Sequence, residues 1–232
     1  MFTLGIETAT TACSVALLSS DTLVSEIRIV RKNIHAEKLF GCIQKVFALG
    51  DVAIGDVKGI AVSIGPGSFT GLRIGLSAAK GLAYSTGAKI IAVPTLRAIA
   101  EHVSYKCANI CVLIQSRKDE FYMAQYSHEA GDISEVLAPS IISADDMLNK
   151  IPDGSVIVGP ALLKLDEVFL AKLQEKYLVS NSSINLPNAY AVARLGFKKF
   201  QEGLYDDPDS LEPFYLQDFI AGKPKNRNVQ SS

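Results

Sequence analysis

Histidine and cysteine, the side chains that most often hold transition metals, are scarce: three histidines and four cysteines occur in 232 residues. Cys13, Cys42, Cys107 and Cys111 show no C-x-x-C spacing, which speaks against a zinc ribbon or a dithiol redox motif. Cys107 and Cys111 are four apart, but the run from Cys107 to Gln115 reads as a buried strand, where that spacing does not bring side chains together as a helix would. His35, His102 and His128 have no partner at metal-binding spacing, so no metal site is expected. A basic excess is also missing. Lys and Arg total 23 against 24 Asp and Glu, a net charge of -1, so the chain is not expected to hold nucleic acid unaided. No apolar run approaches the roughly 20 residues that cross a bilayer. Met1 leads straight into a strand-like segment without a signal peptide, which predicts a cytoplasmic protein with reduced thiols.

What is present is enough for a core: 48% of residues are hydrophobic and 20% are charged, close to the globular average. Wholesale disorder is excluded, and one domain or two small packed halves remain open. Phe2, Leu4 and Ile6 alternate with Thr3, Gly5 and Glu7. Together with runs at Cys13–Leu18 and Val24–Val30 they predict a three-stranded meander. The period then changes. Ala36, Leu39, Phe40, Ile43, Val46 and Phe47 recur at helical spacing until Gly50. Val57–Ile64 reads as a strand, Leu72–Ser85 as a helix, Lys89–Val93 as a strand and Thr95–His102 as a helix opened by Pro94. The order is βββαβαβα over residues 1–104.

Residues 105–232 look like a degenerate copy of the first half, with a hairpin from Ile110–Ile114 and Phe121–Tyr126 and a strand at Ser155–Val158. Helices are expected at Ala161–Lys176 and from Asn188 to Phe200. The polar end, residues 223–232, carries Lys223, Lys225 and Arg227 and is expected to be a flexible, solvated tail.

Two strings carry the most information. Glu7-Thr8-Ala9-Thr10 leads into Cys13-Ser14-Val15-Ala16, an acid and hydroxyls at a β-turn-β. Gly65-Pro66-Gly67-Ser68-Phe69-Thr70-Gly71-Leu72-Arg73-Ile74-Gly75 is a glycine-rich loop running into a helix. Together they resemble the TsaB (YeaZ) family, whose usual strings are close to D-T-A-T-x-x-C-S-V-A and G-P-G-S-F-T-G-x-R-I-G. Arg117–Tyr126 and Glu212-Pro213-Phe214-Tyr215-Leu216 extend the likeness over nearly the whole chain. The resemblance implies a two-lobed, actin-like fold of the α/β class with a mixed sheet in each lobe. It further implies a non-catalytic partner of TsaD, which transfers a threonylcarbamoyl group to the tRNA adenosine beside the anticodon, with the ATPase TsaE in the same pathway and tRNA met only through the complex.

In catalytic members of the superfamily the first hairpin turn holds phosphate and its acid organises a metal-bound water. The resemblance therefore assigns Glu7, Thr8, Gly65, Gly67, Ser68, Thr70 and Gly71 to a vestigial nucleotide loop. Two departures weaken hydrolysis: Glu7 is one methylene longer than the usual Asp, and Gln115-Ser116 stand where Asp-Ala is usual. TsaD carries two histidines four apart on a helix, whereas His35 here has Leu39 at that position. No cofactor is expected beyond weak ATP or ADP at a contact with the partner. Ser68 does not fit the G-x-S-x-G elbow, so peptidase chemistry is not expected.

Leu72–Ser85 is apolar nearly all round, more than one sheet contact consumes. Gly71, Gly75 and Ala79 step every four residues as a ridge that would admit another backbone. Leu39, Ile43, Leu72, Gly75, Ala79 and Leu82 are therefore the expected partner interface, for TsaD or for a second copy of the chain when alone. An actin-fold ATPase or phosphotransferase and a self-contained homodimeric scaffold stay open as rivals.

Overall fold

A computed structural model describes residues 1–103, 109–129, 132–180 and 185–216. Cys107 and the 223–232 tail lie outside them. The first half runs β1 (Phe2–Glu7), β2 (Ala12–Ser19), β3 (Thr22–Val30), α1 (His35–Gly50), β4 (Val57–Gly65), α2 (Phe69–Thr86), β5 (Lys89–Pro94) and α3 (Thr95–Ala100). The second runs β6 (Ile110–Arg117), β7 (Glu120–Glu129), β8 (Asp132–Ser143), α4 (Ala144–Lys150), β9 (Val156–Val158), α5 (Glu167–Lys176), β10 (Leu178–Val179) and α6 (Ala189–Gln201). Both halves therefore spell βββαβαβα.

The sheets are copies too. One is ordered β3-β2-β1-β4-β5 and the other β8-β7-β6-β9-β10, each with an antiparallel meander joined to two parallel strands. The first sheet is covered on both faces, which explains why β2 is buried almost throughout rather than alternating. Cys13, Val15 and Leu17 join Leu4, Ile6, Ile60 and Val62 in the core under α1 and α2. Ala16 and Leu18 point the other way, against Ala189 and Ala193 of α6.

That second layer shows how the halves are tied. Helix α6 ends the second half but lies on the first sheet, where Ala191, Val192 and Leu195 pack with Ala61, Ile91 and Val93. Helix α3 ends the first half but lies on the second sheet, with Leu96, Ile99 and Ala100 against Ile110, Val112 and Ile114. Each lobe lends its last helix to the other. The α6 contact is closer than ordinary helix-on-sheet packing: a Cβ on Gly5 would lie 2.3 Å from the Ala189 carbonyl oxygen, and one on Gly196 2.3 Å from the Ala61 Cβ.

Two local expectations need correction, and one stretch is filled in. Between residues 127 and 153, where the sequence offers little motif and only an element order compatible with a repeated βββαβαβα, β8 and α4 supply the third strand and first helix of that order. Strand β8 is an edge strand with much of its length exposed, so it has no clean apolar alternation to read. The expected Ala161–Lys176 helix is two pieces, a 3-10 turn at Pro160–Leu163 and α5. Asp166 starts the second piece by accepting a hydrogen bond from the Phe169 amide at 2.8 Å. Helix α2 begins three residues before Leu72, because Ser68 caps it by accepting from the Gly71 amide at 3.2 Å.

Past α6 the chain returns along the first lobe. The Asp206 amide donates to the Ile90 carbonyl at 3.0 Å and Asp206 Oδ2 accepts from the Ala92 amide at 2.7 Å, which occupies the free edge of β5. The Phe214 amide then donates to the Ile64 carbonyl at 2.7 Å, bringing the Glu212–Leu216 string beside the glycine-rich loop.

Candidate functional site

The turns of the two long hairpins, β1–β2 and β6–β7, open into one cleft of about 920 Å³ between the lobes. The glycine-rich loop closes a third side. The Ser68 amide donates to the Ala9 carbonyl at 2.7 Å, and Thr8 Oγ1 donates to the Gly71 carbonyl at 2.8 Å, so loop and turn form one unit. Arg73 binds that unit to the returning chain: its guanidinium lies 3.9 Å from the Phe69 ring centre and its Nε donates to the Tyr215 hydroxyl at 3.1 Å. Phe69 and Tyr215 also stack, with centroids 5.2 Å apart.

The structure divides the expected nucleotide loop. Ala9, Thr10, Thr11, Gly67, Ser68, Thr70 and Gly71 line the cleft. Glu7 and Thr8 do not; both are fully buried behind it. Glu7 Oε1 accepts from the Ala9 amide at 2.6 Å, and Oε2 accepts from the Ser63 hydroxyl. Burial pushes the Glu7 carboxyl up to about 7, against the opposing pull of Ser63, Ala9 and the Arg28 charge. Each oxygen of Glu7 thus serves the chain's own turn. Gly65 sits at φ +124 beneath the Phe214 carbonyl. From the second hairpin come Gln115 and Ser116, both lining the cleft.

The expected interface residues lie elsewhere than on the surface. Leu39, Ile43, Leu72 and Ala79 are at most 3% exposed, and Leu82 is half-buried against the first-lobe core. The ridge is already occupied: a Cβ on Gly71 would meet the Thr8 carbonyl at 2.1 Å, and one on Gly75 would meet Thr8 Oγ1 at 2.2 Å. The small residues of α2 accept the β1–β2 turn of the same chain, which the sequence does not reveal because the approaching segment is sixty residues away. The outward faces of α1 and α2 instead carry Phe40, Gly41, Ser77, Gly81 and Tyr84, with Phe40 58% and Tyr84 60% exposed.

Among the described residues no group of three or more His, Cys, Asp or Glu is placed to hold a metal. His35 is buried, and its Nε2 lies 3.1 Å from the Ala12 carbonyl, so that nitrogen donates to the backbone. Cys13 and Cys42, distant in sequence, meet between β2 and α1, and burial raises both thiols, Cys13 to about 12. Sequence reading missed Ser63 and Arg28 around Glu7. It also missed Lys32, Arg117 and Lys164, which reach the cleft from three separate segments without a shared motif.

Comparison with known proteins agrees with this architecture. Residues 24–221 match the family model described as "TsaD: tRNA N6-adenosine threonylcarbamoyltransferase". The chain is similar to the tRNA threonylcarbamoyladenosine biosynthesis protein TsaB of Escherichia coli (strain K12), at 28% identity over 95% of this chain and 96% of that protein. It is also similar to TsaB of Bacillus subtilis (strain 168), at 29% identity over 94% of each chain. Among solved structures, YeaZ from Pseudomonas aeruginosa superposes with a TM-score of 0.79 at 24% identity, covering 93% of this chain and 99% of that one. With the family match spanning most of its length, two duplicated lobes and the glycine-rich loop in place, the chain belongs to the tRNA N6-adenosine threonylcarbamoyltransferase family, and the relatives it matches over nearly their full length include TsaB proteins.

Proposed function

We propose that the chain is a non-catalytic subunit in threonylcarbamoylation of the tRNA adenosine beside the anticodon, acting in the cytoplasm by holding TsaD in its working conformation. The observation that carries this reading is the commitment of Glu7, the acid of the first hairpin turn, to the Ala9 amide and the Ser63 hydroxyl in a fully buried site. A carboxylate placed so does not reach a metal-bound water in the cleft. Gln115, in the second turn, brings a neutral amide where a carboxylate would be needed to balance a magnesium ion. The names of the TsaB relatives place them in the same pathway.

The partner surface is the outward side of the α1–α2 pair. Phe40 and Tyr84 offer apolar area, while Gly41 and Gly81 have open space where a Cβ would stand, so a partner backbone can come close. The same face serves a second copy of the chain when TsaD is absent, and TsaE and tRNA meet the chain through the complex. Gly81→Arg tests this. An unpaired buried charge costs several kcal/mol, and a loss of about 4 kcal/mol is roughly a thousandfold in affinity. The variant is expected to fold normally yet fail to copurify with TsaD, and cells relying on it should lose threonylcarbamoyladenosine from their tRNA. Undiminished TsaD binding by a folded Gly81→Arg protein would remove the α1–α2 face from the proposal, and normal modification in cells lacking the chain would remove the function.

A further inference from the structure

The last strand of a sheet offers a row of amides and carbonyls to any other chain, so sheet edges are usually blunted. The two sheets have four edges, formed by β3, β5, β8 and β10. Three of them are blunted. Asp206 bonds along β5, β10 is two residues long, and β8 carries Pro139 and two breaks of register against β7. Strand β3 is nine residues, Thr22–Val30, with no proline or lysine, and its pairing with β2 shifts once, between Leu17 and Leu18. Among the described residues no strand lies on its outer side.

The side chains of β3 leave that edge approachable. Leu23, Val24, Ile27, Ile29 and Val30 favour extended pairing, and Leu23, Val24 and Val30 are exposed. The two charged groups do not stand guard over it. Glu26 Oε1 accepts from the Ser14 hydroxyl at 3.1 Å and the Tyr190 amide at 3.2 Å, and Arg28 Nη2 donates to the Leu186 carbonyl at 3.0 Å, so both lie over the sheet face. The end of α1 adjoins Val24, where a Cβ on Gly50 would lie 3.0 Å from Val24 Cγ1, and brings the exposed Leu49 to the same shoulder.

The backbone fixes which groups the edge presents. The Arg31 amide donates to the Thr11 carbonyl at 3.1 Å, and antiparallel bonding alternates along a strand. Ile29, Ile27 and Ser25 therefore turn their amides and carbonyls toward β2, while Glu26, Arg28 and Val30 turn theirs outward. The ends of the strand differ in charge, with Asp21 before it and Arg31 and Lys32 after it. A second β3 thus fits antiparallel, acidic end against basic end, whereas a parallel one would set like charges together. Centred on Ile27, the register puts Glu26 opposite Arg28 of the second copy and Val24 beside Val30; centred on Glu26 or Arg28, it would oppose like charges.

We propose that β3 pairs with β3 of a second copy of this chain across a two-fold axis at Ile27, joining two first-lobe sheets into one continuous sheet. The pairing uses a different surface from the outward α1–α2 face and does not rest on the role of that face.

The test uses the full chain carrying Gly81→Arg, which removes self-association through α1–α2 and leaves edge pairing to be read. Sedimentation over a concentration series should still show a dimer. Val30→Lys, at an exposed position, should weaken that dimer at least about tenfold with an unchanged thermal midpoint, since two-fold symmetry counts each change twice. Ile27→Cys reads the register. Directly opposed residues outside the hydrogen-bonded pairs have Cα atoms about 4.5 Å apart, within disulfide reach, so oxidised glutathione should link two copies through it. Val30→Cys, about 20 Å from its counterpart in this register, should not link. Cys13, Cys42 and Cys111 are buried and do not compete. The proposal is overturned if the Gly81→Arg protein is monomeric throughout the series, if Val30→Lys leaves the dimer as tight, or if Val30→Cys links as readily as Ile27→Cys.

Discussion

Gly75 and Gly81 stand six residues apart in the same helix, and the structure assigns opposite signs to the same substitution at the two positions. In an open helix interior, Gly→Ala stabilises by about 1 kcal/mol. Gly81 is such a position, with nothing within 4 Å of the added Cβ. At Gly75 the added Cβ would lie 2.2 Å from Thr8 Oγ1, which itself donates to the Gly71 carbonyl. Thr8 is fully buried and cannot swing into solvent. Overpacking of this kind costs about 1–3 kcal/mol, and breaking the buried hydrogen bond adds about 1–3 kcal/mol. After the helix gain is subtracted, Gly75→Ala should destabilise by about 1–5 kcal/mol. For a chain of this size 1 kcal/mol moves the thermal midpoint by about 2–4 °C, so the loss is on the order of 2–20 °C. Gly81→Ala should gain about 2–4 °C by the same conversion.

A double-mutant cycle isolates the cause. Thr8→Ala removes Oγ1 and leaves the Thr8 Cβ, 3.4 Å from the Gly75 Cβ position, at ordinary contact distance. The pair Thr8→Ala with Gly75→Ala should therefore be more stable than the two single losses combined. Equal midpoints for Gly75→Ala and Gly81→Ala would refute the packing of α2 on the hairpin turn, as would strict additivity in the cycle.

Glu7 gives a pH dependence whose sign is fixed by the direction of its shift. With the folded carboxyl raised from 4.5 to about 7, the native state keeps a proton that the unfolded chain releases. This contribution is full below about pH 4.5 and is lost as pH rises through about 7, up to about 3 kcal/mol. Urea denaturation of Glu7→Gln, which keeps an acceptor for Ala9, should show that slope flattened and the variant gaining on the parent near pH 8; an unchanged slope would contradict the buried carboxyl. The exchange of helices predicts that residues 1–103 alone do not fold, because Ala16, Leu18, Ile91 and Val93 lose the cover of α6. Coexpression with residues 104–232 should restore a soluble pair, and a cooperative melt for the isolated first half would contradict it. Incubated with ATP and magnesium, the purified chain should release no phosphate at any sustained rate, since neither Glu7 nor Gln115 can anchor the metal.

The sequence was legible where a single segment carries its own pattern. The alternation in β1, the helical spacing in α1 and the Gly65–Gly75 string are each local, and from them the element order and the two-lobed fold could be read. It was illegible where meaning depends on a distant partner. Gly71, Gly75 and Ala79 form a small-residue ridge by spacing alone, and spacing cannot tell whether the backbone that fills it belongs to this chain or another. The excess apolar surface of α2 was likewise real, but the β1–β2 turn and α1 consume it. Lys32, Arg117 and Lys164 are unremarkable singly and meaningful only as one wall.

The buried turn bears on how the polar groups of the first hairpin are satisfied from within the chain. In a nucleotide-binding hairpin the amides and hydroxyls of the turn are satisfied by phosphate, so an empty turn carries unpaired polar groups. Here the chain supplies the partners itself. Glu7 accepts from the Ala9 amide within the turn, while Ala9 accepts from the Ser68 amide and Thr8 donates to the Gly71 carbonyl across the turn and the glycine-rich loop. The longer Glu side chain suits this arrangement, because one carboxylate spans from the turn amide to Ser63 on the adjacent strand β4. Glu7→Asp, the return to the usual residue, should then be destabilising, as the shorter acid cannot keep both contacts and one buried donor loses its partner, at about 1–3 kcal/mol. If Glu7→Asp melts at the parent's temperature, the turn does not depend on the longer acid, and its identity at position 7 would need another cause.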